Sequence, residues 1–97
     1  MARVQQVIIT GATSGIGRAT AGRFARAGAA ILAVGRDRTA LTAVAGEIEA
    51  AGGRAAVLDA DITAAGSPDA IVDAATRQLG GITTLVNAAG IIASGTV

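Results

Sequence analysis

The sequence contains no cysteine, histidine, lysine, tyrosine or tryptophan, and its single aromatic residue is Phe24. Without cysteine the chain has no disulfide bonds and no thiolate metal ligands, and without histidine it lacks the commonest metal ligand. Most of the usual general bases and nucleophiles are therefore missing. Seven carboxylates and three serines, Ser14, Ser67 and Ser94, remain as side chains that could take such a role.

Charged residues and long apolar runs are also scarce. Only 15% of the residues are charged and the formal net charge is +1, so the chain has no basic stripe for nucleic acid. No apolar run approaches the roughly 18 residues of a membrane span, and residues 1–6 show no secretory signal pattern. Because 52% of the 97 residues are hydrophobic, we expect one small globular domain over residues 1–97 and a cytoplasmic location.

A glycine-spaced loop follows the first apolar run of the chain. The run 7–9 is Val-Ile-Ile, the glycines are Gly11, Gly15 and Gly17, and a helix-forming sequence begins directly after them. A strand, a glycine-rich turn and a helix start, in that order, present backbone N–H groups to a phosphate. The loop is not a phosphate-binding loop of the Walker type, because that motif requires a lysine. The sequence therefore predicts a nucleotide-phosphate site near the N-terminus.

Apolar strand patterns alternate with helical periodicity along the whole chain. Strands are expected at residues 4–10, 30–34, 54–58 and 84–87. Three helices are expected between them: the first over residues 14–27, the second beginning after an N-cap at Asp37 or Thr39, and the third from Ser67-Pro68 to Leu79. This alternation predicts an α/β fold with a parallel sheet and right-handed crossovers. The first three strands fit one mononucleotide-binding half, and the fourth is expected on the other side of the first. The predicted fold class is a Rossmann-type sheet truncated to about four strands and three helices.

The segment 10–17, Thr-Gly-Ala-Thr-Ser-Gly-Ile-Gly, resembles the cofactor loop of the short-chain dehydrogenase/reductase family. The resemblance implies a nicotinamide dinucleotide cofactor, whose phosphates would lie on this loop. It also implies that the N-terminal cofactor-binding part of the family's domain covers residues 1–97. The cofactor-binding residues implied in the loop are Gly11, Thr13, Ser14, Gly15, Ile16 and Gly17.

Arg36 lies just past the second predicted strand, where the ribose of a bound dinucleotide would lie. An acidic residue there binds the ribose 2′-hydroxyl, whereas an arginine pairs with a 2′-phosphate. In the family the acid that selects NAD would fall at Gly35, so Arg36, with Arg38 nearby, resembles the pattern that prefers NADP. The alternative is that Arg36 is only a solvated loop residue.

Two further segments match the family in order. Asp61-Ile62-Thr63 resembles a motif of the family whose aspartate contacts the adenine. Asp59 is a second candidate for that aspartate, and the alternative for Asp61 is that it only ends the strand as a polar residue or caps a helix. The segment 87–90, Asn-Ala-Ala-Gly, resembles the family's Asn-Asn-Ala-Gly motif. There Asn87 would tie the fourth strand to the first near Thr10, and the backbone of Ala88 and Gly90 would flank the ribose. As generic turn residues, Asn and Gly would also fit this position.

The family's catalytic tyrosine and lysine have no counterpart, because the sequence contains neither residue type. The chain therefore resembles the nucleotide half of an NADP-type short-chain reductase, which transfers hydride between nicotinamide and a carbonyl or alcohol carbon. The chain by itself is predicted to be inactive. The alternatives are a non-catalytic module that binds NADP(H) or an adenine nucleotide, and an inactive fragment that binds nothing tightly.

The fourth predicted strand is expected to be an edge strand. Residues 82–86 contain no Asp, Glu, Arg or Pro, and Leu85 and Val86 would make the strand apolar on both faces. An uncharged edge with free N–H and C=O groups is a template for pairing with another chain. We therefore expect self-association through this edge.

Overall fold

The computed structural model of the chain describes residues 4–60 and 67–88. Within these ranges strands and helices alternate from the first element to the last, as the sequence predicts. The elements are β1 (Gln6–Thr10), α1 (Gly15–Arg26), β2 (Ala30–Gly35), α2 (Arg38–Ala50), β3 (Arg54–Asp59), α3 (Ser67–Leu79) and β4 (Thr84–Asn87). None of the described helices combines the length and hydropathy that crossing a membrane requires.

The four strands form one parallel sheet in the order β3-β2-β1-β4. In register, Ile8 of β1 lies between Leu32 of β2 and Leu85 of β4. The chain thus runs outward from β1 to β3 and then crosses back to the opposite side of β1. This order confirms the predicted Rossmann-type sheet, and its reversal at β1 creates the crevice where such folds bind ligands.

Helices cover the sheet on both faces and enclose two apolar cores. Successive residues of a strand point to opposite faces, so Val7 and Ile9 belong to one core and Ile8 to the other. The first core is completed by α1 and α2, and the second by α3. Side chains that are fully buried include Ile9, Ile31, Leu32, Leu41, Ile48, Val7, Val34 and Val44. Because β1 and β2 are buried on both faces, their sequences are continuous apolar runs.

Side-chain caps fix where α1 and α2 begin. The Oγ of Ser14 accepts a hydrogen bond from the backbone N–H of Gly17 at 3.0 Å. The Oδ1 of Asp37 accepts one from the N–H of Ala40 at 3.1 Å, and Thr39 lies inside the helix. Of the two caps considered for α2, the structure therefore selects Asp37. Both caps satisfy N–H groups that a helix start leaves without an intrahelical acceptor.

Candidate nucleotide-binding site

The parallel sheet brings the predicted loop, Arg36 and Asn87 together at the carboxyl ends of its strands. Gly11 follows the end of β1, Arg36 follows the end of β2, and Asn87 is the last residue of β4. Since parallel strands end on the same side of a sheet, these residues lie around one crevice. The crevice lies where β1 separates β2 from β4, which is the switch point of the strand order.

The loop between β1 and α1 is held by its own hydrogen bonds. Gly11 has a φ of 66°, a conformation that favours glycine. Its carbonyl oxygen accepts from the backbone N–H of Ser14 at 3.1 Å and from the Ser14 hydroxyl at 2.7 Å. Among residues 4–60 and 67–88, no acceptor satisfies the N–H groups of Gly15 and Ile16. These two donors, at the positive end of the α1 dipole, are available to an anion.

Gly17 and Gly15 have opposite surroundings. A Cβ atom at Gly17 would overlap the carbonyl oxygen of Gly11 and lie 3.0 Å from the Cα of Ala12. The start of α1 therefore packs directly on the backbone of the loop. A Cβ atom at Gly15 would meet no atom of the described residues within 4 Å, apart from its chain neighbours and the backbone of its own helix, so the space beside Gly15 is open. That opening, next to the N–H groups without acceptors, has the chemistry expected for a phosphate cradle.

The end of β2 forms a second wall of the crevice. A Cβ atom at Gly35 would lie 3.3 Å from Cδ2 of Leu41 and 3.6 Å from Cγ2 of Thr13. A side chain at position 35 would thus require Leu41 to shift slightly. Sequence patterns do not reveal this contact, because it joins α2 to the end of β2 and leaves no local pattern. Arg36 itself is exposed, one residue before the cap of α2.

β1 and β4 are linked by side chains at the same end of the sheet. The hydroxyl of Thr10 donates to Oδ1 of Asn87 at 3.0 Å, and Thr10 is only 7% exposed. This is the contact between the first and fourth strands that the family resemblance implies. Ala88 follows directly and is completely buried. The link fixes the end of β4 against the loop that begins at Gly11.

An ion pair connects α1 to α2 on the surface beside the loop. Nε of Arg18 donates to Oε1 of Glu47 at 2.9 Å, and a second short contact joins Nη2 of Arg18 to Oε2 of Glu47. The hydrogen bond from Arg18 lowers the pKa of the Glu47 carboxyl, and the same bond raises the pKa of Arg18. Both side chains are well exposed, so the pair contributes little to stability. Sequence spacing could not reveal this pair, because the two residues are 29 positions apart.

Three predicted site residues, Asp61, Ile62 and Gly90, lie outside the described residues. Their proposed contacts with adenine and ribose therefore stay predictions. Across residues 4–60 and 67–88, no group of His, Cys, Asp or Glu side chains is arranged to hold a metal ion.

Comparison with known proteins places the chain among dehydrogenases. The family model described as short chain dehydrogenase matches residues 5–97. A 3beta-hydroxysteroid dehydrogenase from Mediterraneibacter gnavus is 40% identical over 92 residues, which cover 94% of this chain and 33% of that protein. A second relative, the A-factor type gamma-butyrolactone 1'-reductase of Streptomyces virginiae, is 48% identical over 54 residues, 56% of this chain and 21% of that protein.

Solved structures share the same arrangement of elements. The NADH-dependent reductase A1-R', crystallised with NAD, superposes with a TM-score of 0.79 at 35% identity, covering 88% of this chain and 36% of that one. A hydroxysteroid dehydrogenase from Escherichia coli gives 0.81 at 38% identity, covering 86% of this chain and 35% of that one. The chain thus spans about one third of the length of these proteins.

Proposed function

Because the chain belongs to the short-chain dehydrogenase/reductase family, we propose that it binds a nicotinamide dinucleotide at the crevice formed by Gly11, Arg36 and Asn87. The observation that carries the proposal is the loop at the start of α1. There an opening beside Gly15 adjoins the N–H groups of Gly15 and Ile16, which have no acceptor among the described residues. The dinucleotide phosphates would accept from those groups, with Thr13 and Ser14 completing the loop.

NADP(H) is the proposed cofactor, in preference to NAD(H). Arg36 follows the last residue of β2, and Gly35 provides no carboxylate for a ribose 2′-hydroxyl. A guanidinium group at this position favours a 2′-phosphate. The neighbour crystallised with NAD is named as NADH-dependent, so membership of the family does not by itself favour NADP, and the residues after β2 are the basis of our choice. The remaining proposed contacts are those of Asp61 and Ile62 with adenine and of Ala88 and Gly90 with ribose.

Arg36→Asp is expected to reverse the cofactor preference. A charge-assisted pair with phosphate contributes about 1.5–3 kcal/mol, so the parent chain should bind NADPH roughly ten- to a hundredfold more tightly than NADH. The variant should lose that advantage, because its carboxylate repels the 2′-phosphate and accepts from a 2′-hydroxyl. Calorimetric titration with NADPH, NADH and ADP measures all three affinities.

Arg23→Asp is the control, because it makes the same charge change on the exposed side of α1. It should leave the ratio of the NADPH and NADH affinities unchanged. Equal discrimination by the parent and Arg36→Asp would assign the preference to Arg38 or Arg18 instead. Failure of all three nucleotides to bind the parent would contradict the nucleotide site itself and favour an inactive fragment.

The complete protein is proposed to be an NADP-type oxidoreductase. A bound nicotinamide supplies hydride chemistry toward a carbonyl or alcohol carbon. This chain has no tyrosine or lysine to serve as the family's acid/base pair, and that observation favours a second candidate for the chain alone, a non-catalytic nucleotide-binding module. We therefore expect the purified 97-residue chain to oxidise no NADPH with any carbonyl substrate. Turnover above the level of contaminating enzymes would contradict this expectation.

Besides the dinucleotide, the proposed partner of the chain is a second copy of itself, which would meet it at β4. This strand has no neighbour on its outer side among the described residues. We also propose a cytoplasmic location, which is expected from the composition.

A further inference from the structure

Asp59 ends β3 beside Gly35, the last residue of β2. The two residues are partners in the parallel ladder, and the N–H of Ala60 donates to the carbonyl oxygen of Gly35 at 2.9 Å. Since neighbouring strands lie roughly 5 Å apart, the ladder places Asp59 next to the residue that Arg36 follows. An acidic residue is therefore adjacent to the position that is proposed to select the cofactor.

The side chain of Asp59 lies on the face of the sheet that α2 covers. Val57 packs against the first core and Leu58 against the second, so alternation along β3 puts Asp59 on the same face as Val57. Gly35 belongs to this face as well, because a Cβ atom there would lie 3.3 Å from Cδ2 of Leu41 in α2. A carboxylate at position 59 thus has the direction of one at position 35, displaced by one strand.

The carboxylate of Asp59 is not engaged by the described part of the chain. Asp59 is exposed, and within residues 4–60 and 67–88 it forms no ion pair and no side-chain hydrogen bond. Asp37, the other acid near the start of α2, instead accepts the N–H of Ala40 as a helix cap. The negative charge of Asp59 is therefore available to act on a group bound at this corner of the crevice.

We propose that Asp59 is a specificity-determining residue that opposes the binding of a 2′-phosphate and so limits the preference for NADP(H). The inference rests on the nucleotide site and the role of Arg36 proposed above. Because adjacent strands are roughly 5 Å apart, a phosphate bound beside Gly35 is within the Debye length of Asp59, about 10 Å at 0.1 M salt, and the two negative charges repel each other.

NAD(H) does not experience this repulsion at its ribose, because a 2′-hydroxyl carries no charge. The pyrophosphate is common to both cofactors, so its interaction with Asp59 cancels in the ratio of their affinities. Asp59 and Arg36 thus act in opposite directions on that ratio.

Calorimetric titration of Asp59→Asn with NADPH and NADH tests the inference, since asparagine has the shape of aspartate without its charge. At low salt we expect the affinity for NADPH to rise about three- to tenfold and the affinity for NADH to stay within about twofold of the parent's. The gain should shrink as the salt concentration rises, because salt screens the repulsion between exposed charges. Asp59→Ser removes the same charge with a smaller side chain and should show the same gain, whereas Asp59→Glu keeps the charge and should bind as the parent does.

Glu49→Gln is the matched control, because it removes one negative charge at the opposite end of α2. Glu49 is exposed, and roughly 16 Å of helix separates it from Arg38. This variant should leave the ratio of the NADPH and NADH affinities unchanged.

The pattern of the affinities for NADPH, NADH and ADP identifies what Asp59 does. An unchanged ratio of the NADPH and NADH affinities in folded Asp59→Asn and Asp59→Ser would overturn the inference and leave the nucleotide site intact. Equal losses for all three nucleotides would also overturn it and make Asp59 the adenine contact, whereas a loss for NADH alone would make it an acceptor for the 2′-hydroxyl. Failure of the parent to bind any of the three would contradict the proposed function, and the inference with it.

Discussion

Gly17→Ala is expected to lower the free energy of unfolding by about 3 kcal/mol or more, the upper range for overpacking. The added Cβ atom would overlap the carbonyl oxygen of Gly11 and lie 3.0 Å from the Cα of Ala12. Both contacts are with backbone, so no side-chain rotation can relieve them. Either α1 moves away from the loop or the loop loses the bonds between Ser14 and Gly11. Chemical denaturation measured by circular dichroism gives the difference directly.

Gly22→Ala is the matched control, because it makes the same substitution in the same helix. Its Cβ atom would meet only the end of the Arg26 side chain at 3.7 Å, an ordinary contact. Alanine is a better helix former than glycine by about 0.5–1 kcal/mol, so this variant should be slightly more stable than the parent. A Gly17→Ala protein as stable as Gly22→Ala would show that α1 does not pack on the loop as described.

The sequence predicted the order and type of the elements because they depend on local patterns. Alternating strand and helix patterns placed β4 at residues 84–87, where the structure has it. The first strand, expected from residue 4, begins at Gln6 instead. Its ladder with β2 starts at the pair Gln6 and Ala30, and the extent of a ladder depends on a partner strand that a local pattern does not contain.

The details of the site were less predictable because they depend on contacts between elements. The resemblance implied the link from Asn87 to Thr10, which the structure shows. Neither the closeness of Leu41 to Gly35 nor the pairing of Arg18 with Glu47 left a signal in the sequence. In both cases the two residues come close only because α2 packs beside β2 and α1. The glycine spacing predicted a loop, whereas the different surroundings of the individual glycines required the three-dimensional structure.

The open space beside Gly15 makes Gly15→Ala the most direct test of the proposed phosphate site. We expect the variant to bind NADPH about a hundredfold more weakly, because a methyl group in the opening blocks hydrogen bonds to a charged phosphate, worth about 1.5–3 kcal/mol each. The fold should tolerate the change, since the added Cβ atom meets no atom of another element within 4 Å in the part of the chain that the structure describes. Position 15 is also the first residue of α1, where alanine fits a helical backbone.

Gly46→Ala distinguishes a blocked site from a general effect of the substitution. Its Cβ atom also meets nothing within 4 Å, but it lies in α2 away from the loop. We expect parental NADPH affinity and a melting temperature slightly above that of the parent, as for glycine to alanine within a helix. Calorimetric titration and thermal melts of both variants then separate binding from stability. If Gly15→Ala bound NADPH as tightly as Gly46→Ala, with both folded, the opening beside Gly15 would not hold the phosphates, and the site would have to be sought elsewhere along the carboxyl ends of the strands.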